Sequence, residues 1–292
     1  MEKWAVGALE KWRGYPPRKF GEYSNSHDDE RDYIEQNLMT WAKRNKDDKL
    51  KLDILEKKMR YARDVIELSE EYHRQGMHGK IIPLLKMAHN VFEHDREITD
   101  LLSKALMELG DDSQAVKLAW DVFSKEPFSD TALDRLQVVS GKSKCWKEYY
   151  QKVLDFLQKQ EEKENKSNSL SFFHGSMRER RVQVLFKHGD QQAAWELAQG
   201  AKLSERCWLT LAAWRSETLP QEAASVLDKL LTDALRPTGE DAYRHVIDLL
   251  MIYRKYLQMA NREKDFAAYC TMLRTEYKRR RLLLEQMNIA KL

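Results

Sequence analysis

The chain of 292 residues has few of the residues that interrupt or cross-link a chain: 11 glycines, 6 prolines and 3 cysteines. Such low glycine and proline counts disfavour a turn-rich β fold and fit long helices. Cys145, Cys207 and Cys270 are odd in number and scattered. Because they cannot form a complete disulfide set, we expect a reducing compartment.

Long apolar runs are also missing, since no stretch approaches the roughly 18 residues of a membrane-spanning helix. The first residues, MEKWAVGALEKW, lack the charged start and apolar run of a signal peptide. The net charge is only +3, so no overall field favours nucleic acid or acidic substrates. Together these features predict a cytoplasmic protein.

Motifs for catalysis, phosphate binding and metal binding are absent. The sequence contains no G-x-S-x-G, no G-x-G-x-x-G, no G-x-x-x-x-G-K-[ST] and no H-E-x-x-H. A nucleophilic pair such as Cys207 with His188 would depend on tertiary proximity, and a buried cysteine in the core is the simpler interpretation. We therefore predict a non-enzymatic protein without catalytic residues, cofactor or bound metal.

What the sequence does have is a helical hairpin at residues 101–127, LLSKALMELGDDSQAVKLAWDVFSKEP. Gly110 is expected to end the first helix with a positive φ, which glycine adopts without a Cβ clash. Asp111 or Asp112 can cap the second helix. Ala115 is predicted where the two helices cross, because a small side chain lets the backbones approach. The hairpin ends at a proline.

This hairpin recurs. Gly76 precedes Gly110 by 34 residues, which is the tetratricopeptide period. A third copy surrounds Gly189, and a looser fourth copy covers residues 208–231, with Pro220 starting its second helix. The pattern predicts an all-α, tetratricopeptide-like α-α superhelix, a right-handed solenoid of helical hairpins. The alternative is a non-repetitive helical bundle.

The predicted organisation has five parts: N-terminal helices and an irregular segment at 1–46, a first half of helical repeats at 47–160, a polar loop at 161–175, a second half of repeats at 176–235, and a longer capping helix pair at 240–292. The pattern from Leu50 to Leu68 is either one kinked helix or two helices. Gly141 to Ser143 is predicted as a turn. Phe266 to Leu284 is predicted as the apolar stripe of a single last helix.

Residues 180–287 resemble the C-terminal helical region of bacterial SWIM-type zinc-finger proteins and their relatives of unknown function. The resemblance depends on VLFKHGDQQAAWELAQ, CWLTLAAWRSETLPQEAASVLDKLL, AYRHVIDLLMIYRKY and FAAYCTMLRTEYKRRRLLLEQM. It implies tetratricopeptide-type repeats and no enzymatic activity. The C-x-C … C-x-H zinc finger of that family has no counterpart here, so the resemblance does not imply zinc.

Two hypotheses for function follow. The first is a non-enzymatic scaffold that binds a partner protein through its helical-repeat surface. Its candidate groove residues are the polar positions between the stripe residues of the best repeat: Ser103, Lys104 and Glu108.

The alternative is a nucleic-acid-associated protein that uses a C-terminal basic cluster. The cluster is defined by five residues: Arg274, Lys278, Arg279, Arg280 and Arg281. Favourable placement of cations near a helix C-terminus explains the same pattern without a ligand.

Overall fold

The computed structural model describes residues 3–18, 20–21, 29–93, 95–167 and 176–292. Every regular element in these residues is an α-helix, and there are sixteen of them, which confirms the predicted all-α class. Contacts among the helices divide the chain into two compact units, Met1–Tyr149 and Tyr150–Leu292. None of the described helices is both long and apolar enough to cross a membrane.

Unit 1 is a series of helices in which neighbours in sequence pack against each other. They are α1 (Lys3–Gly14), α2 (Asp29–Asn45), α3 (Asp48–Lys58), α4 (Ala62–Arg74), α5 (His78–Val91), α6 (Arg96–Glu108), α7 (Asp112–Lys125), α8 (Asp130–Lys142) and the start of α9 (Trp146–Ser167).

The period of 34 residues holds for helix starts as well as for the turns. The first helices α4, α6 and α8 begin at Ala62, Arg96 and Asp130, and the second helices α5, α7 and α9 begin at His78, Asp112 and Trp146, so each start follows its counterpart by 34 residues. This spacing confirms the tetratricopeptide-like repeat. It also adds the α8–α9 hairpin to the two strict copies whose turns contain Gly76 and Gly110.

The turn of the α8–α9 hairpin was predicted wrongly. Gly76 and Gly110 have φ of 70° and 77°, as predicted, and the equivalent residue 34 positions later is Lys144, with φ of 57°. Gly141 lies inside α8, and the turn begins after Lys142. Because lysine here adopts the left-handed conformation that glycine favours, the nearest glycine was a misleading marker.

The α6–α7 hairpin forms as the sequence predicts. The side chain of Asp111 accepts a hydrogen bond from the main-chain N–H of Gln114 at 3.2 Å and caps α7. Ala115 is fully buried, and Leu106 and Phe123 are also core residues. Burying such a leucine or phenylalanine side chain contributes about 1.5–3 kcal/mol, so packing of these stripes holds the hairpin together.

The long apolar pattern after Leu50 divides into two helices. The Asp64 side chain accepts from the main-chain N–H groups of Arg60 and Tyr61 at 3.0 and 2.9 Å. These bonds satisfy amide groups that the first turn of a helix leaves free, and they fix the start of α4. Of the predicted irregular segment, residues 19 and 22–28 lie outside the described residues.

Unit 2 contains the rest of α9 and seven further helices. They are α10 (Met177–Lys187), α11 (Gln191–Ala198), α12 (Glu205–Ser216), α13 (Pro220–Ala234), α14 (Glu240–Met259), α15 (Glu263–Glu276) and α16 (Arg281–Ile289). The hairpins α10–α11 and α12–α13 pack closely, with Gly189 at a φ of 93° in the first turn and Pro220 at the start of α13. Their spacing is irregular, unlike that of unit 1.

The predicted polar loop at 161–175 is helical up to Ser167, and residues 168–175 lie outside the described residues. Glu161 accounts for the difference. Its carboxylate is mostly buried and pairs with Arg178 at 3.0 Å and with Arg181 at 2.6 Å. A sequence that looks solvated therefore packs against α10 through ion pairs.

The predicted single last helix is also wrong, because the structure breaks it into α15 and α16. The guanidinium of Arg280 lies in the break and donates to the main-chain oxygen of Leu235 at 2.5 Å. The C-terminal segment therefore has α14 followed by two shorter helices. Asn261 lies in the turn between α14 and α15, with a φ of 56°.

Candidate protein-binding groove

Two depressions open along the first helices of the unit 1 repeats. The larger has a volume of about 690 Å³ and is lined by α6 and α8; the smaller has about 250 Å³ and is lined by α4, α5 and α6. Both volumes are large enough to receive side chains of a bound segment. We refer to the two depressions together as the first-helix groove.

The groove is lined by residues spaced along one side of each helix. The larger depression contains Asp100, Ser103, Lys104, Met107, Glu108, Thr131, Asp134, Arg135, Val138, Val139 and Lys142. The smaller contains Ser69, Glu70, His73, Ile81, Leu85, Leu101, Lys104, Ala105 and Glu108.

Lys104 and Glu108 line both depressions, so they lie on the ridge of α6 that separates them. Their charged atoms are 3.9 Å apart, and their side chains are 73% and 52% exposed. Such an exposed pair, one helical turn apart, contributes only about 0.3–0.5 kcal/mol to stability. Both side chains are therefore accessible to a partner at low cost to the fold.

Ser103 has a different position from its two predicted companions. It is buried at the base of the larger depression, and Ser69, its equivalent 34 residues earlier, is buried in the smaller one. The Ser69 hydroxyl donates to the main-chain oxygen of Ile66 at 2.8 Å. We conclude that serine at this repeat position places a small side chain at the base of the groove.

Sequence reasoning missed the α8 side of the groove. Val138 and Lys142 follow Lys104 and Glu108 by 34 residues, so they are the same positions one repeat later. Val138 is 57% exposed, which is high for an apolar side chain. Applying the repeat period to Lys104 and Glu108 would have found both residues.

Charges of both signs face the groove, together with apolar surface. Arg135 of α8 pairs with Asp100 of α6, and Lys104 pairs with Glu108. Met107 adds partly exposed apolar surface beside Val138. This surface offers apolar contacts flanked by paired charges, and no single sign of charge dominates it.

The five residues of the predicted basic cluster differ in their surroundings. Arg280 turns inward to the main-chain oxygen of Leu235, and Arg274 donates to the main-chain oxygen of Leu292 at 2.5 Å. Lys278, Arg279 and Arg281 stay exposed. Two of the five cations are thus held by the chain's own oxygens.

The three cysteines are free thiols. Burial raises the pKa of Cys207 to about 12, and nearby Glu179 adds to the shift; burial also raises the pKa of Cys145 and Cys270. A raised pKa keeps a thiol protonated, which is the opposite of an activated nucleophile. Within the described residues no group of three histidine, cysteine or acidic side chains is placed to hold a metal ion.

Comparison with known proteins gives matches of fold only. No protein-family model matches the chain, and no curated protein matches it. A thermophilic TPR protein from Thermus thermophilus, TTC0263, aligns over 67% of this chain and 98% of its own, with 17% identity and a TM-score of 0.30. The structure of Naa15/Naa10 bound to HypK-THB aligns over 93% of this chain, with 12% identity and a TM-score of 0.35; the match spans about half, 47%, of that chain.

These matches are too distant to carry a functional argument, and the class of the protein follows from its own geometry. The 34-residue spacing of helix starts and the left-handed turns define a tetratricopeptide-like helical-repeat protein. None of the matches bears on the SWIM-type resemblance, which stays a prediction.

Proposed function

We propose that the protein is a non-enzymatic scaffold that binds a segment of a partner protein in the first-helix groove of unit 1. The observation that carries the proposal is the pair of depressions that meet at Lys104 and Glu108. Stacked helical repeats use such surfaces to hold extended or helical peptides.

The groove chemistry suits a segment with apolar side chains and charges of both signs. Val138 and Met107 offer apolar contacts in the larger depression. Lys104 and Glu108 can each exchange their weak mutual pair for a pair with the partner, since both are exposed. The buried serines let a partner side chain sink between neighbouring first helices.

Site-specific photo-crosslinking tests the location. A photoreactive residue is placed at Lys104, at Val138 or at Lys117, and crosslinked proteins are identified by mass spectrometry from cells that express the full chain. Lys117 is the control, because it is exposed on α7 and lines neither depression. We expect the same partner at Lys104 and Val138 and little at Lys117. Equal crosslinking from all three positions, or none from the first two, would contradict the proposal.

Nucleic-acid binding stays the second hypothesis, and it now depends on Lys278, Arg279 and Arg281. A function of this kind predicts affinity that falls steeply with salt. We rank this hypothesis below the groove because Arg274 and Arg280 turn to main-chain oxygens, which leaves three exposed cations of the five in the predicted cluster.

A further inference from the structure

Unit 2 has a cavity of its own, with a volume of about 480 Å³. It lies among the C-terminal part of α14, one side of α15 and the residues after α16. Its lining consists of Arg254, Gln258, Glu263, Phe266, Ala267, Cys270, Thr271, Arg274, Lys291 and Leu292. The volume falls in the range of small-molecule sites, about 300–1,000 Å³.

Basic side chains outnumber acidic ones in this cavity. Arg254, Arg274 and Lys291 line it, and Glu263 is the one acidic side chain among its lining residues. Three positive groups around one space repel each other, so a bound anion would lower the energy of the site.

Neither of the two arginines forms an ion pair with an acidic side chain of the described residues. Elsewhere in the unit Arg181 pairs with Glu161, and Arg215 pairs with Glu222 at 2.6 Å. Glu263 lines the same cavity and still does not pair with either. Arginines that face an open cavity without an acidic side chain beside them are suited to bind an anion.

The surroundings fix both guanidinium groups. Arg254 lies over the ring of Phe266, 5.9 Å from its centroid, and Arg274 is held by its bond to the main-chain oxygen of Leu292. Both lie close enough to Cys270 to oppose the rise in its thiol pKa that burial causes. The positive field therefore reaches the interior wall of the cavity.

We propose that this cavity binds a small organic phosphate monoester, with its phosphate held by Arg254 and Arg274. Planar guanidinium groups bind phosphate oxygens in pairs, with stronger hydrogen bonds than neutral donors make. A phosphate monoester near pH 7 carries a charge of about −1.5 to −2, and basic side chains outnumber acidic ones in this lining. The cavity is larger than a phosphate alone needs, and its lining includes the apolar residues Phe266, Ala267 and Leu292 for contact with the organic group.

Isothermal titration of the full chain with phenyl phosphate at low salt tests the site. We expect saturable binding that weakens roughly tenfold or more in Arg254→Gln and Arg274→Gln, since each loses a charged hydrogen-bond donor. Arg244→Gln is the matched control, because Arg244 is also on α14, pairs with Glu240 at 3.0 Å and lies outside the cavity; its affinity should stay unchanged.

Inorganic phosphate and benzoate are titrated in parallel to separate the contribution of the phosphate group from that of the ring. Phenyl phosphate should bind more tightly than either, because it combines the dianion with a ring.

Arg274→Gln also removes the bond to Leu292, so the folding of this variant is checked by circular dichroism. Arg254→Gln removes no hydrogen bond to a described residue and serves as the second variant. Absence of saturable phenyl phosphate binding, or unchanged affinity in Arg254→Gln, overturns the proposal. Equal affinity for inorganic phosphate overturns the role of the organic group.

Discussion

The guanidinium of Arg135 on α8 pairs with the carboxylate of Asp100 on α6, and both residues line the larger depression of the first-helix groove. The Arg135 side chain is mostly buried, whereas that of Asp100 is exposed. This ion pair therefore connects the first helices of two successive repeats at the groove.

A double-mutant cycle measures that connection. We expect Arg135→Gln and Asp100→Asn to be coupled by about 0.5–1 kcal/mol, because Asp100 is exposed to solvent. Stability is measured by urea denaturation. Hydrogen exchange identifies the unfolding transition that belongs to unit 1, and the midpoint of that transition is compared between variants. The cycle Lys104→Gln with Glu108→Gln is the control and should give a smaller coupling. Additive effects at Arg135 and Asp100 would show that the pair contributes nothing to the stability of unit 1.

The left-handed turns give opposite predictions for neighbouring repeats. Gly110→Ala should lower the free energy of unfolding by about 1–2 kcal/mol, since a Cβ is disfavoured at a φ of 77°. Lys144→Gly should raise it by up to about 1 kcal/mol, because glycine relieves the same strain at the equivalent residue. Thermal unfolding followed by circular dichroism measures both.

Gly141→Ala is the control for these turn variants. Gly141 lies within α8, and an added Cβ would meet no atom within 4 Å apart from its chain neighbours and the nearby backbone of its own helix, so alanine should stabilise by about 0.5–1 kcal/mol. A loss of stability at Gly141 similar to that at Gly110 would contradict the assignment of the turns.

Stability of unit 1 should depend on the ionisation of Glu71. Hydrogen bonds from Arg74, then Lys51 and Gln75, lower the pKa of this buried carboxyl to about 2. Because the folded pKa lies below the unfolded value of about 4.3, the stabilisation is complete above that pH and is lost as pH falls towards 2. Glu71→Gln should cost about 2–3 kcal/mol at pH 7.

The pH dependence of stability distinguishes loss of the ionised Glu71 carboxylate from a simple packing defect. The difference in unfolding free energy between Glu71→Gln and the unchanged chain should shrink between pH 5 and pH 2, by about 1.4 kcal/mol per unit of pH at most. Glu67→Gln, which removes a more exposed pair with Lys58, should show a smaller and flatter difference. If the difference in unfolding free energy for Glu71→Gln stayed constant from pH 5 to pH 2, ionisation of Glu71 would be excluded as its cause.

Thiol reactivity tests the burial of the cysteines. With a pKa of about 12, Cys207 should be alkylated by iodoacetamide at pH 8 far more slowly in the folded chain than in urea. Cys145, which is less buried, should react faster than Cys207. Mass spectrometry of timed samples gives the rates, and modification of Cys207 at the same rate with and without urea would contradict the structure.

Much of unit 1 could be predicted from the sequence because its signals are local. Gly76, Gly110 and Asp111 have conformations or hydrogen bonds that depend on the residue itself and its immediate neighbours. The turn at Lys144 could not be found in this way, because lysine carries no sign that it will adopt a positive φ. Only the 34-residue period identifies that position.

The parts that were predicted wrongly depend on tertiary contacts. Glu161 is one acid among many in a polar stretch, and its pairing with Arg178 and Arg181 exists only once α9 and α10 are packed. The inward turn of Arg280 to the main chain near Leu235 likewise follows from the fold. Lys104 and Glu108 were predicted as groove residues and do line the depressions; their role in binding stays a prediction.

The central claim is that a partner binds across the ridge formed by Lys104 and Glu108. The most direct test is the Kd of the crosslinked partner for the charge-swapped chain Lys104→Glu, Glu108→Lys, compared with Lys117→Asp, Asp121→Lys. Lys117 and Asp121 have the same spacing on α7, are exposed and line neither depression. We predict a loss of roughly tenfold or more for the α6 swap and no change for the α7 swap. Equal affinity of both variants for the partner would contradict the account.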